Sequence, residues 1–370
     1  MIQDIFVIGA TGKVGKTLVH QIVEKGDIDP SVHVNPTRVV GLASSTNFVY
    51  SLEGLSSSEL YDFINRRYGQ SQRYSRLDEF LEVVGNKHRK EKSALVFVDV
   101  TAVNEPMREF HLKIIRETGY GIVTANKNPV ALSDYAVFKE LTRDPRRYGY
   151  RCSVMAGAEA VPFLQDLKDL NDSLQSIEGC FSGTLGYITT ELGKDRKFSE
   201  ILKEAVEKGY TEPDPRDDLN GLDVARKLVV LTRTAGFGIG MEDIQVEPFI
   251  PQEYLLDESV SDFLEKSAEL EGYFEKKVSI ARKKGQSLRY VSRMDIIKKV
   301  PKIEVSLKEV PKESELGRLR GKTNKIVIIS EAYPKDNSYV ITAPGAGLLV
   351  TARNVRRDLL HLLGERGNVT

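Results

Sequence analysis

Cysteine is nearly absent from this chain. Cys152 and Cys180 are its only two, too few for a disulfide framework or a four-cysteine zinc site. Histidine is scarce and scattered. His20, His33, His88, His111 and His361 include no His-x-x-x-His pair, which removes the common histidine metal motif. No apolar run approaches the roughly 18 residues needed to cross a bilayer. Net charge is missing as well: 53 Lys plus Arg balance 53 Asp plus Glu. Bulk charge therefore draws the chain to neither nucleic acid nor an anionic membrane. The first residues run straight into a strand pattern, leaving no room for a signal peptide. The expectation is a cytoplasmic protein with no nucleic-acid partner and no membrane partner.

What is present reads as globular. Of 370 residues, 41% are hydrophobic and 29% charged, a balance that supports a packed core and two or three domains. Apolar runs at 2–8, 38–43, 94–100 and 121–124 alternate with helical spacing after Gly15, near 58–67 and at 105–118. Such alternation predicts an α/β fold, with a Rossmann-like doubly wound parallel sheet over residues 1–150. Beyond that the pattern loosens. Helices are predicted at 160–172, 197–208, 222–234, 257–284 and 351–363. Strands are predicted at 288–295, 303–310, 325–331 and 338–342. The mixture suggests a second, α+β domain over 151–343, with residues 344–370 completing the first domain.

Ile8-Gly9-Ala10-Thr11-Gly12-Lys13-Val14-Gly15 joins the first strand to the first helix. Its G-x-x-G-x-x-G spacing varies the usual dinucleotide fingerprint. Glycine permits a tight turn, then close backbone approach to a pyrophosphate, then packing of helix on strand. The helix N-terminus faces the phosphates with unpaired N–H groups. Gly9, Ala10, Thr11, Gly12, Lys13, Val14 and Gly15 are thus the candidate cofactor cradle. An acid at the end of the second strand would favour NAD. Ser44 and Ser45 stand there instead as candidate cofactor-binding residues, so NAD and NADP both stay open.

Two other signals are weaker. Tyr135 and Lys139 match the Tyr-x-x-x-Lys of short-chain dehydrogenases, but so do Tyr273 and Lys277, in a chain with 15 tyrosines. A solvated helix with an aromatic anchor explains both pairs. Each cysteine is better read as a small buried hydrophobe than as a nucleophile.

The most informative stretch runs from Gly209 to Lys227. Five carboxylates fall within twelve residues, and Pro213 and Pro215 stiffen the turn between them. Asp218 or Asn220 can cap the following helix. Asp223 and Lys227 are four apart and share its face. Leu222, Ala225, Leu228 and Val229 set that face beside apolar packing. A lysine partly desolvated there can exchange a proton with a substrate hydroxyl. An ordinary salt bridge on a capped surface helix explains the spacing equally well.

Five ordered segments decide between them. The Gly209–Lys227 run resembles the substrate signature of homoserine dehydrogenases. Asp99-Val100-Thr101 with Thr124-Ala125-Asn126-Lys127-Asn128-Pro129 resembles that family's cofactor and substrate junction. Gly179 to Ile188 is similar to its G-T-x-x-Y-I segment. Leu288-Arg289-Tyr290-Val291 and Gly345-Ala346-Gly347 with Thr351-Ala352 match later segments. The likeness covers nearly the whole chain.

This resemblance implies NAD(P)-dependent interconversion of L-aspartate 4-semialdehyde and L-homoserine, in threonine, methionine and isoleucine biosynthesis. It implies a catalytic group of Lys227, Asp223 and Lys127, with Lys227 as the acid, directly or through water, Asp223 holding it or helping to bind substrate, and Lys127 between cofactor and substrate. Glu212 takes the substrate ammonium, and Asp218, Gly183, Thr184 and Tyr210 shape the pocket. Thr101, Lys127 and Gly347 meet the cofactor. The second domain binds substrate and forms a homodimer. Rival readings are another NAD(P)-dependent oxidoreductase on this scaffold and a non-catalytic nucleotide sensor. Retention of Lys127 and Lys227 counts against the sensor.

One segment departs from the pattern. Family members commonly carry E-A-x-V-x-x-G-x-P, whose carbonyls bind a monovalent cation. Here, over Tyr150 to Pro162, the motif's acidic residue after the tyrosine is replaced by Arg151 and the spacing to Pro162 is longer. That counts against a cation, and no metal ligand is assigned. No aspartokinase segment stands ahead of the glycine loop. The roughly twenty residues after Thr351 are too few for the ACT domain of some relatives, so threonine feedback by that route is not expected.

Overall fold

The computed structural model describes residues 2–33, 36–88, 94–256 and 259–366. They form two compact units, one built from the chain up to Gly157 and from Gly347 onward, the other from Ala158–Ala346.

Unit 1 is organised on a seven-stranded sheet. Its strands are β1 (Gln3–Ile8), β2 (Thr37–Ala43), β3 (Asn47–Tyr50), β4 (Gln72–Arg73), β5 (Ala94–Asp99), β6 (Gly121–Thr124) and β7 (Tyr148–Gly149), in the order β4-β3-β2-β1-β5-β6-β7. The five from β2 to β7 are parallel, as continuous apolar runs buried on both faces should be. β3 and β4 extend the sheet antiparallel and were not legible. The helices are α1 (Lys13–Glu24), α2 (Ser57–Ile64), α3 (Asp78–His88), α4 (Met107–Glu117), α5 (Asn128–Ala131) and α6 (Tyr135–Leu141). Strand order reverses between β2 and β5, on either side of β1. The carboxyl ends of β1 and β5 therefore open the crevice where doubly wound sheets take ligands.

Unit 2 carries a six-stranded sheet: β8 (Leu174–Cys180), β9 (Gln245–Val246), β10 (Gln286–Ile297), β11 (Val300–Pro311), β12 (Thr323–Ser330) and β13 (Tyr339–Pro344), ordered β13-β12-β8-β10-β11-β9. All pairings are antiparallel except β9 with β11. Its helices are α7 (Ala160–Asp169), α8 (Gly183–Leu192), α9 (Phe198–Glu207), α10 (Arg216–Leu219), α11 (Leu222–Thr234), α12 (Val260–Lys266) and α13 (Glu271–Lys283). α8, α11 and α13 pack on β10.

The chain then returns to unit 1 as α14 (Leu348–Arg366). It lies against α1, and its Val355, Leu359 and Leu362 join Ile5, Val19 and Val96 in one buried cluster. The 3-10 turns Arg151–Ser153 and Met155–Gly157 also pack on α14. That packing puts the divide after Gly157, where the sequence reading set 150. The later divide falls after Ala346, where it set 343.

Candidate active site

In unit 1 the glycine loop and the Thr101 segment emerge side by side. Gly9 has φ 88°, and a Cβ built on it would stand 3.1 Å from Thr101 Cγ2. Gly15 is held tighter still: its Cβ would fall 2.3 Å from the Gly9 carbonyl and 2.7 Å from Ala10 Cα. Only glycine lets α1 sit against the turn. Gly12 caps α1 without a side-chain acceptor, so the amides of Lys13, Val14 and Gly15 lack a side-chain cap. Ala10 is buried, Thr11 half-buried, and Gly12 and Lys13 exposed. These residues fit a dinucleotide phosphate. Ser44 is placed differently. It is buried, with Oγ accepting from the Thr46 and Asn47 amides and donating to the Asn47 carbonyl. Its hydroxyl thus closes the β2–β3 turn, while Ser45 is exposed. Gly347 is exposed, with φ 154°.

A buried network stands beneath Thr101 and Lys127. Asp99 Oδ1 accepts from the Thr101 amide at 2.9 Å, and Oδ2 accepts from Asn126 Nδ2 at 3.0 Å. Asn126 also donates to the Val103 carbonyl. His111 Nε2 lies 3.3 Å from Asp99 Oδ2, and its Nδ1 is 2.9 Å from the Tyr148 hydroxyl. Burial works against the Asp99 carboxylate, yet His111 and Thr101 hold its pKa below the ordinary value. The network ties the loop after β5 to the loop after β6, which leads into Lys127 at the start of α5. The sequence assigns no role to His111, and it marks Asn126 only as part of the segment from Thr124 to Pro129. A lone histidine on an amphipathic helix gives no signal of its own.

In unit 2 the acidic stretch folds onto α8. Lys227 Nζ lies 2.7 Å from Asp223 Oδ2 and donates to the Phe181 carbonyl at 2.8 Å. Its side chain is 12% exposed, so the i,i+4 pair is partly desolvated. Leu222 departs from the expected apolar face at 40% exposed; Ala225, Leu228 and Val229 are buried as expected, and Val224 is buried with them. Asp218 does not cap α11. Its Oδ2 accepts from the Glu212 amide at 2.8 Å and its Oδ1 lies 2.8 Å from Thr184 Oγ1. Asn220 serves the helix end, accepting from the Leu222 amide. Thr184 Oγ1 is also 2.6 Å from the Tyr210 carbonyl. One hydroxyl hydrogen faces two acceptors when Asp218 is ionised. Burial, opposed by the bonds from Glu212 and Thr184 but aided by the charges of Glu212 and Asp223, pushes the Asp218 pKa up to about 6.

Glu212 is exposed beside this group. Lys322 Nζ stands 3.8 Å above the Tyr210 ring, and a Cβ on Gly183 would approach the Lys322 carbonyl at 3.4 Å. Lys322 lies in a Gly-Lys-Thr loop with no pattern to mark it. Unit 2 thus gathers Lys227, Asp223, Asp218, Thr184, Gly183, Tyr210 and Glu212 around the first turn of α8.

The weaker signals resolve plainly. Lys139 and Lys277 lie over Tyr135 and Tyr273, at 5.2 and 4.9 Å from the ring centroids, as cation–π pairs one helical turn apart. Both cysteines are buried thiols. Burial raises both pKa values, that of Cys180 to about 12.

A sequence profile of homoserine dehydrogenases matches residues 162–360, more than half of the chain. The chain belongs to the homoserine dehydrogenase family. A bifunctional aspartokinase/homoserine dehydrogenase of Arabidopsis thaliana is 32% identical over 359 residues, covering 96% of this chain. The chain spans only 38% of that relative's length. A solved Candida auris protein of unknown function superposes with a TM-score of 0.86 at 29% identity, over 98% of each chain. A hyperthermophilic archaeal homoserine dehydrogenase, solved in complex with NADPH, gives 0.70 at 19% identity over 99% of this chain and 98% of that one. At that identity the likeness speaks for the fold.

The family's cation segment does not suit a cation here. The Tyr150 carbonyl accepts from the Ser153 amide and hydroxyl. The Val154 carbonyl accepts from the Gly157 amide, and the Ala156 carbonyl from Asn354 Nδ2 at 2.8 Å. Arg151, 6% exposed, brings its own guanidinium into the segment and pairs with buried Asp358 at 2.8 Å. Asp358 is thereby engaged by Arg151, through its guanidinium and its amide, and is not left free for a cation. No groups of three or more His, Cys, Asp or Glu able to hold a metal occur among the described residues. Nor, among them, is any helix long and apolar enough to cross a membrane.

Proposed function

We propose that this chain interconverts L-aspartate 4-semialdehyde and L-homoserine with NAD or NADP. The observation that carries this is Lys227, held by Asp223 and the Phe181 carbonyl beside the Asp218–Thr184–Tyr210 group. A bound nicotinamide supplies or accepts the hydride at the substrate's terminal carbon. Lys227 gives the proton to the aldehyde oxygen, and takes it back from the hydroxyl in the reverse direction. Asp223 keeps the ammonium aimed. Glu212 receives the substrate ammonium, while Asp218, Thr184, Gly183 and Tyr210 form the pocket wall. Lys127 contributes a cation for the substrate carboxylate or the developing alkoxide. Gly9 to Gly15 hold the dinucleotide phosphates, with Ser45, Thr101 and Gly347 as further cofactor contacts. The Ser44 hydroxyl acts through the turn it closes. Unit 1 is the cofactor-binding domain, and unit 2 binds substrate and supplies the surface of a cytoplasmic homodimer. Light scattering behind size exclusion is expected to give twice the chain mass at micromolar concentration; a monomer there defeats the dimer.

The test is homoserine-dependent reduction of NAD⁺ and NADP⁺ by the wild type and Lys227→Ala. Loss of about 10²–10⁴-fold in kcat, with cofactor affinity unchanged, supports the lysine as acid. Cofactor binding without turnover in the wild type overturns the reading in favour of a sensor or another substrate. Equal turnover in both proteins moves proton transfer away from Lys227.

A further inference from the structure

Unit 2 carries a cavity of about 370 Å³ bounded by α8, α13, the start of β10 and the loop after β11. Six cations line it against one acid, Glu313. Lys194, Arg282 and Arg318 are neutralised locally, by Glu191, Asp195 and Glu313. Arg289, Arg320 and Lys312 have no carboxylate partner among the described residues.

The two arginines are unusually placed. Arg289 is 4% exposed and donates to the carbonyls of Leu288, Leu316, Gly317 and Leu319. Arg320 Nη1 donates to the same Gly317 and Leu319 carbonyls, at 3.3 and 2.9 Å. Two guanidiniums thus converge on one pair of oxygens. Carbonyl dipoles offset part of the repulsion between them, but no counter-charge completes it. Burial, with Arg320 adding to it, holds the Arg289 pKa below the ordinary arginine value.

We propose that this cavity binds a phosphate-class oxyanion, free or borne on a small metabolite, gripped by Arg320 and Lys312 with Arg289 behind them. Three uncompensated cations call for more negative charge than one carboxylate brings. Guanidinium forks match tetrahedral oxyanions in geometry, and the volume suits a small ligand. The Gly321 amide donates to Thr190 Oγ1 at 3.2 Å, joining the arginine loop to α8, the helix that carries Thr184. The site is independent of the reaction assigned above.

Titration calorimetry of the full chain with inorganic phosphate, at ionic strength held constant with NaCl, tests it. Binding is expected, with Arg320→Gln and Lys312→Gln each weakening it about tenfold or more, the loss of a charge-assisted bond. Both side chains are exposed, so these variants keep the fold. Acetate is expected to bind more weakly than phosphate. Phosphate heat that persists unchanged in the double variant places the ion elsewhere and overturns the site. Absence of phosphate binding in the wild type does the same, and equal affinity for acetate overturns the phosphate assignment.

Discussion

Asp218 shows how a single carboxyl can serve the fold and the pocket in opposite senses. Protonated, it donates to Thr184 Oγ1, which then donates to the Tyr210 carbonyl, and every partner is satisfied. Ionised, it competes with that carbonyl for one hydrogen. Its folded pKa of about 6 lies above the ordinary 3.8. Stability from this group is therefore complete below the ordinary value and is lost as pH rises through 6. Asp218→Asn reproduces the protonated bonding pattern. It is expected to raise the unfolding free energy at about pH 8 by on the order of 1 kcal/mol, with no gain near pH 4, measured by urea titration. Protonation also removes negative charge beside Glu212. The wild-type KM for homoserine is accordingly expected to rise severalfold between about pH 7 and 5, while the Asn variant stays flat. At this scale the sequence spoke unevenly. The Asp223–Lys227 pair was legible because helical spacing alone dictates it. The Asp218–Thr184 contact joins residues 34 apart, and no local rule reports that.

Elements differ in legibility for physical reasons too. β1, β5 and α11 announce themselves by apolar pattern, and α11 runs from Leu222 to Thr234 as predicted. β8 reads Leu-Gln-Ser-Ile-Glu-Gly-Cys, too polar to register as a strand, though it is paired on both edges. α8 is masked by Gly183 and Gly186; Ser182 caps it, and burial of Leu185, Ile188 and Leu192 holds it in place. The helix predicted at 257–284 is broken. Residues 257 and 258 lie outside the described residues. Ser267, buried and bonded to the Leu264 carbonyl, begins a 3-10 turn between α12 and α13. The glycine loop offers the sharpest test of an element junction. Gly15→Ala pushes a Cβ into backbone atoms, so α1 must lift from the turn. A loss of about 1–3 kcal/mol and at least tenfold weaker NADPH binding are expected, read by urea titration and nucleotide fluorescence. The Arg151–Asp358 junction predicts indifference to monovalent cations. Melting temperature and turnover in NaCl, KCl and tetramethylammonium chloride, matched in ionic strength, are expected to coincide. A specific Na⁺ or K⁺ dependence would show that the Tyr150–Gly157 carbonyls still admit a cation.

Over the whole molecule, the sequence reads as a first domain at 1–150 completed by the C-terminal helix. The reach of the 3-10 turns at 151–157 was hidden, since three successive residues there, Met155, Ala156 and Gly157, take positive φ, and pattern reading has no purchase on such backbone. The contribution of α14 is large. Ala352, Val355, Leu359 and Leu362 are buried in the unit 1 core, and Gln3 and Gln21 bond its carbonyls. A chain ended at Ala346 is expected to lose dinucleotide binding and the cooperative unfolding of unit 1. Unit 2 strands would keep their protection in hydrogen exchange, since Ala158–Ala346 is compact in its own right.

That interleaving has a consequence on the ribosome. A nascent chain completes β1 to β7 long before it contains α14. The roughly 200 residues between them take about 10–40 s to add at about 5–20 residues per second. During that interval the apolar surface of α1 and β1 waits without its final cover. The segment made second can finish folding first, and the segment made first must wait as a client for chaperones.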